Sequence, residues 1–178
     1  MDPVITVIIS ICMSLLFGMA AMHKLKAPAV FRAALDDYEL IPSYLLSMSS
    51  IVLIILELSA AILLLITRTQ TAGLALTAAL LSAYAAGISI NLYRGRRDID
   101  CGCNGPATTQ ALSWWLVSRN LVFLGLVVLA MEPAMERSLN WLDLFTIVLG
   151  ILVASGLYLG FNQLLSQAPR LAAMRSST

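Results

Sequence analysis

Apolar residues in this chain come in long unbroken runs, not in the strand-like alternation or one-sided helical stripe of a soluble domain. Five runs stand out, at 4–22, 44–66, 71–92, 111–131 and 141–165. A helix needs ~20 mainly apolar residues to cross the ~30 Å hydrocarbon core of a bilayer, and each run meets that length. The period-2 pattern of a membrane β-strand is missing, and Leu- and Ala-rich stretches such as 74–81 favour helix. The pattern therefore predicts an all-α, polytopic integral membrane bundle of about five transmembrane helices, a four-helix core plus one.

Only two connections are long, at 24–43 and 94–110, so residues 1–165 are expected to form a single bundle without an extramembrane domain. In the first connection Ala29, Val30, Ala33 and Ala34 alternate with Arg32, Asp36 and Asp37. That spacing suits a short interfacial helix opened by Pro28 and closed before Pro42. Residues 166–178 read as a polar tail that frays.

Composition sharpens this picture. The chain is 60% hydrophobic and 12% charged, with a mean hydropathy of +0.88. A soluble domain carries about twice that charged fraction, which excludes one here and makes the lipid bilayer the first partner. Eleven Lys and Arg against ten Asp and Glu leave no basic excess for nucleic acid. No basic segment precedes the first apolar run, whereas His23, Lys24 and Lys26 follow it, the reverse of a cleaved signal peptide, so this helix is expected to stay. With five spans, Lys24, Lys26, Arg32, Arg94, Arg96, Arg97, Arg170 and Arg175 fall on one side. Arg68 and Arg137 fall on the other. The positive-inside rule then predicts a periplasmic N-terminus, with both long connections and the C-terminal tail in the cytoplasm. Trp114, Trp115, Trp141, Tyr44 and Tyr93 lie near span ends, where an interfacial aromatic belt belongs.

Candidate chemistry concentrates in the second long connection. Cys101 and Cys103 flank Gly102 in a turn-rich run that also holds Asp98, Asp100, Asn104 and Pro106. A Cys-Gly-Cys closes only a small, tight ring, and Gly102 supplies the backbone freedom such closure needs. Strained, exposed disulfides have the more oxidising potentials, so the pair suits exchange better than stapling. Arg94, Arg96, Arg97 and the N-terminus of the next helix favour thiolate, while Asp98 and Asp100 oppose it, and the net sign stays open. Two cysteines that merely sit in a turn are the bland alternative. A zinc site wants four N or S ligands, and His23 is the chain's single histidine, so no metal is expected.

Ionisable groups inside a membrane are costly and count as functional candidates. Glu57 in the second span and Arg119 in the fourth, with Asn120 beside it, lie at depths that permit a Glu57–Arg119 ion pair, structural or proton-handling. Cys12 reads as a small apolar side chain within the first span, His23 as a headgroup-level anchor, and Gly156 with Gly160 as ordinary close helix packing.

Several residues together carry a resemblance. Gly18, His23-Lys24-Leu25, Phe31, Tyr38, Pro42 and Glu57 are its scattered marks. Asn91-Leu92-Tyr93-Arg94-Gly95-Arg96, leading to Asp100-Cys101-Gly102-Cys103-Asn104-Gly105, is the specific block. On these the chain resembles the MauE family of methylamine utilisation proteins, within the wider MauE/DoxX-like group of redox-associated membrane proteins. It differs at Asn104, where the family pattern has an aromatic residue. The resemblance implies a bacterial inner-membrane protein needed for maturation of the methylamine dehydrogenase β-subunit, a periplasmic, disulfide-rich protein carrying tryptophan tryptophylquinone. It also implies a MauD-like, thioredoxin-like partner that exchanges electrons with Cys101 and Cys103. A non-redox scaffold or transport factor for the same maturing protein is the alternative. No haem, flavin or metal constellation is evident, and a quinone is compatible as electron acceptor, although no residue identifies its pocket. A topology reporter fused after Thr178 is expected to be active in the cytoplasm, and periplasmic activity would overturn the charge-based orientation.

Overall fold

A computed structural model describes residues 2–96, 99, 112–133 and 140–175, with backbone alone at 161, 162 and 164–175. Six α-helices follow in order: α1 Pro3–Lys26, α2 Pro28–Asp37, α3 Leu46–Leu65, α4 Gln70–Tyr93, α5 Trp114–Ala130 and α6 Trp141–Arg175. No strand occurs among the described residues. The chain is a polytopic helical membrane protein: among the described residues four helices are long and apolar enough to cross a bilayer, and α5 is a shorter apolar helix. At 17 residues α5 rises ~25 Å, a few ångströms less than the hydrocarbon core.

Local chemistry sets the boundaries. The Asp2 side chain accepts a hydrogen bond from the Val4 N–H at 3.0 Å and caps α1, whose first residue is proline. His23, Lys24 and Lys26 occupy its last turn, the end a cation favours. Pro28 opens α2 as expected. Between α3 and α4, the Thr69 hydroxyl donates to the Leu63 and Ile66 carbonyls, both at 3.2 Å, and satisfies the frayed end of α3.

α1, α3, α4 and α5 form a closed ring of neighbours around a core that includes Met13, Phe17, Ala60, Leu64, Leu81 and Val127. Small residues let the backbones approach. The Ser14 hydroxyl donates to the Ala61 carbonyl at 2.7 Å, and Gly18 faces the Ala61 methyl one turn further on. α2 lies against α3, with Phe31 and Ala34 buried, and just beyond it Tyr38 and Leu40 reach Gly87 of α4.

α6 stands apart. It packs chiefly on α1, meeting it where Gly150 lies against Ile8, and leaves Leu144, Leu152 and Leu157 largely exposed to lipid. Gly156 and Gly160, read as a packing pair, have no atom within 4 Å of where a side chain would begin, so neither mediates close packing among the described residues. The helix also continues to Arg175, through most of the tail expected to fray. Its helix-favouring Gln, Leu and Ala residues account for that extension.

The tightest helix contact yields a test. A Cβ on Gly73 would sit 2.8 Å from the Leu64 backbone nitrogen, whereas Gly125 has open space around it. Gly73→Ala is expected to lower unfolding stability in micelles by about 1–3 kcal/mol, with Gly125→Ala neutral or slightly stabilising. Equal effects would contradict the α3–α4 approach.

Candidate functional site

The buried face of α1 runs through Met13, Phe17 and Ala21 to Lys24, so the helical period carries a lysine into the bundle on its last turn. Lys24 is 4% exposed and Glu57 1%. The Lys24 ammonium donates to Glu57 Oε1 in a short ion pair and to Tyr84 Oη at 3.1 Å, while the Tyr84 hydroxyl donates to the same carboxylate oxygen at 2.5 Å. Lys24 Nζ also lies 4.6 Å from the centre of the Phe31 ring and 5.0 Å from that of Tyr84. A charge in a low-dielectric interior persists only when paired and hydrogen-bonded, and here three spanning helices and two aromatic faces satisfy one cation.

This corrects two sequence expectations. Glu57 pairs with Lys24, not with Arg119, because the close α1–α3 contact at Ser14, Gly18 and Ala61 brings the end of α1 to the carboxylate first. Lys24 is accordingly a bundle residue and not the start of the connection 24–43. The signal was available in the Met13, Phe17, Ala21 spacing, which continues to Lys24 with one more step of three.

Arg119 and Asn120 nonetheless belong to the same locality. With Lys24, Glu57, Tyr84 and Tyr158 they line a cavity of about 220 Å³ bounded by α1, α3, α4, α5 and α6. Asn120 is buried, and His23 is exposed beside the same cavity. Glu57 Oε2 and Arg119 Nε are enclosed without a hydrogen-bond partner, and Arg119 forms no ion pair among the described residues. A second, apolar cavity of about 300 Å³ adjoins this one, and half-buried Cys12 lines it.

The cysteine connection leaves the same end of the bundle. α4 ends at Arg94 and turns through Gly95, whose φ of 79° is the left-handed conformation glycine adopts without strain. The Gly95 N–H donates to the Leu92 carbonyl at 3.1 Å and the Arg96 N–H to the Asn91 carbonyl at 3.0 Å, a paired closure of the helix end. Arg96 Nη1 lies 2.8 Å from Glu39 Oε2, tying this exit to the connection after α2. Further on, the Leu112 N–H donates to the Ile99 carbonyl at 3.2 Å, and both side chains join Ile88, Leu92, Leu116 and Val117 in one buried cluster. Tyr93 and Trp114 meet edge to face at 5.1 Å above it. Ile99 and Leu112, the residues that flank 100–111, are thus held together at the bundle end. Arg97, Asp98, Asp100, Cys101, Gly102 and Cys103 lie outside the described residues. No cluster of three metal-ligating side chains occurs among the described ones.

Comparison with known proteins places this geometry in a family. The profile of the methylamine utilisation protein MauE matches residues 2–132. The methylamine utilization protein MauE of Paracoccus denitrificans is 34% identical over 127 residues, covering 71% of this chain and 68% of that protein. The protein of the same name from Methylophilus methylotrophus is 30% identical over 138 residues, covering 77% and 73%. That from Paracoccus versutus is 32% identical over 160 residues, covering 89% and 84%. No solved structure matches.

The ion pair predicts a specific pattern of stability. Lys24→Met and Glu57→Gln are each expected to destabilise the bundle by about 3–5 kcal/mol, and a combined Lys24→Met, Glu57→Met variant to recover most of that loss. Glu57→Gln combined with Arg119→Leu should be additive within about 0.5 kcal/mol. Denaturant unfolding in mixed micelles reads both, and strong coupling of Glu57 to Arg119 in place of Lys24 would contradict the assignment.

Proposed function

This chain belongs to the MauE family of methylamine utilisation proteins, and on that premise we propose that it is an inner-membrane thiol–disulfide exchange protein. The pair Cys101 and Cys103 exchanges electrons with a MauD-like, thioredoxin-like partner. The partner in turn forms or rearranges disulfides in the methylamine dehydrogenase β-subunit during its maturation. The observation that supports this reading is the contact of the residues that flank the Cys-Gly-Cys stretch: Ile99 and Leu112 meet through a backbone hydrogen bond and share a buried cluster at the bundle end.

The chemistry is a two-electron exchange. A thiolate of one partner attacks a disulfide sulfur of the other and expels a thiolate, giving a mixed disulfide. The remaining cysteine of the attacking pair then resolves it, so one disulfide is reduced for each one formed. Arg94 and Arg96, fixed at the end of α4, favour the anionic sulfur. With Lys24 paired inside the bundle, the sequence still puts seven cations on one side against two on the other, and this bias favours a cytoplasmic Cys-Gly-Cys segment. A periplasmic substrate is then served by electrons that cross the membrane.

A scaffold reading draws support from α6, whose apolar surface is largely free of contacts within the chain and is available to another membrane protein. The two readings separate on the thiols. In acid-quenched cells that express the native partners, Cys101→Ser and Cys103→Ser are expected to abolish β-subunit maturation. One of the two variants should accumulate a reducible adduct with a thioredoxin-like protein on non-reducing gels, which identifies the attacking cysteine. Normal maturation in both variants, with no adduct, would refute exchange and leave the scaffold.

A further inference from the structure

The polar cavity and the apolar cavity lie side by side as two parts of one recess, with Leu16, Met19, Phe123, Tyr158 and Leu159 lining both. At one end stand the uncompensated guanidinium of Arg119 and the Glu57 carboxylate with its free Oε2. The other end is walled by Ile8, Ile9, Met13, Leu126 and Ala154 and runs along α1 and α6. The rings of Phe123 and Tyr158, with centres 6.0 Å apart, stand at the boundary of the two. This is the shape and polarity of an amphipathic molecule with a compact polar head and a long apolar tail.

Depth restricts the head. Glu57 lies ~16 Å along α3 from its start, Tyr84 ~13 Å before the end of α4, and Arg119 ~7 Å into α5, all measured from the same end of the bundle. The belt residues Tyr93 and Trp114 mark that end, and a phospholipid phosphate belongs at their level. Drawing its charge to the level of Glu57, beside a carboxylate, is costly. A neutral head with carbonyl acceptors is not penalised in this way. In its reduced form such a head also offers hydroxyl donors, and the recess holds one donor and one acceptor without partners, Arg119 Nε and Glu57 Oε2.

We propose that this recess binds an isoprenoid quinone, with the ring against Arg119 and Glu57 and the tail in the groove between α1 and α6. The role of the quinone rests on the thiol-exchange reading, but its binding does not. As the S–S bond between Cys101 and Cys103 forms, two S–H bonds break, and the two electrons and two protons released convert the quinone's two carbonyls into hydroxyls. The Lys24–Glu57–Tyr84 group holds the recess in shape, and Arg119 supplies the hydrogen bond that orients the ring.

The full-length chain in nanodiscs of neutral phospholipid, labelled with a photoactivatable azido derivative of decylubiquinone, tests this. Labelling is expected to saturate, to be displaced by unlabelled decylubiquinone, and to map to peptides of α1, α5 and α6 around Met19, Phe123 and Tyr158. Met19→Trp, which fills the junction of the two cavities, and Arg119→Leu should each weaken apparent affinity at least tenfold, with Gly125→Ala unchanged. Labelling that rises in proportion to reagent, maps to outer helix faces, or yields to phosphatidylglycerol and not to decylubiquinone would overturn the site. The Cys101→Ser, Cys103→Ser double variant should label as the native chain does. Saturable labelling of the native chain, with neither single serine variant trapping a mixed disulfide, would remove the thiol reading and leave the quinone site standing.

Discussion

A lysine and a glutamate buried together within a membrane bundle constrain everything around them. Neither Lys24 nor Glu57 tolerates the interior alone, and their pairing requires the last turn of α1 to reach the middle of α3. Tyr84 then draws α4 to the same point, and Phe31 places α2 over the cation. Apolar packing by itself gives a membrane helix little reason to prefer one partner over another, since lipid tails are as apolar as leucine. The ion pair supplies that preference, and the close contacts at Ser14, Gly18 and Gly73 let the backbones approach closely enough to satisfy it.

The consequences run outward to the two features with chemical potential. On one side of the pair lies the recess containing Arg119 and Asn120. Toward the bundle end, α4 and α5 are joined by the cluster of Ile88, Leu92, Ile99, Leu112 and Leu116, from which the cysteine segment departs. Membership of the MauE family connects this architecture to methylamine utilisation. On the proposed reading, the rigid part of the bundle positions a pair of thiols at its end and a lipid-soluble electron carrier within its wall, so that neither has to find the other by free diffusion.

Much of the fold was legible because membrane insertion is governed by local composition. The length of an apolar run suffices to find a span, and Pro28 with the alternating Ala and Asp pattern suffices to find α2. The choice of partners was not legible in the same way. Linear depth along separate helices made Arg119 a reasonable counterion for Glu57, but the ring of contacts puts Lys24 there instead, and only the Met13, Phe17, Ala21 spacing hinted at it. A four-helix core with one helix outside it was expected, but that α6 is the outer one was not legible, because lipid-facing and core-facing positions use the same residues. Gly156 and Gly160 illustrate this: their spacing invites helix packing, yet no helix among the described residues lies against them. The Cys-Gly-Cys motif was conspicuous in the sequence, whereas the contact between Ile99 and Leu112, the residues that flank its segment, emerged only with the fold.

The account joins an ordered membrane bundle to a two-electron thiol chemistry, and its most direct test counts both products at once. The native chain, reduced and reconstituted in nanodiscs, is mixed with decylubiquinone under anaerobic conditions, denatured, alkylated and weighed. The account predicts that three alkylatable cysteines fall to one, Cys12, as one quinol appears per chain. Three alkylated cysteines beside unreduced quinone would contradict it.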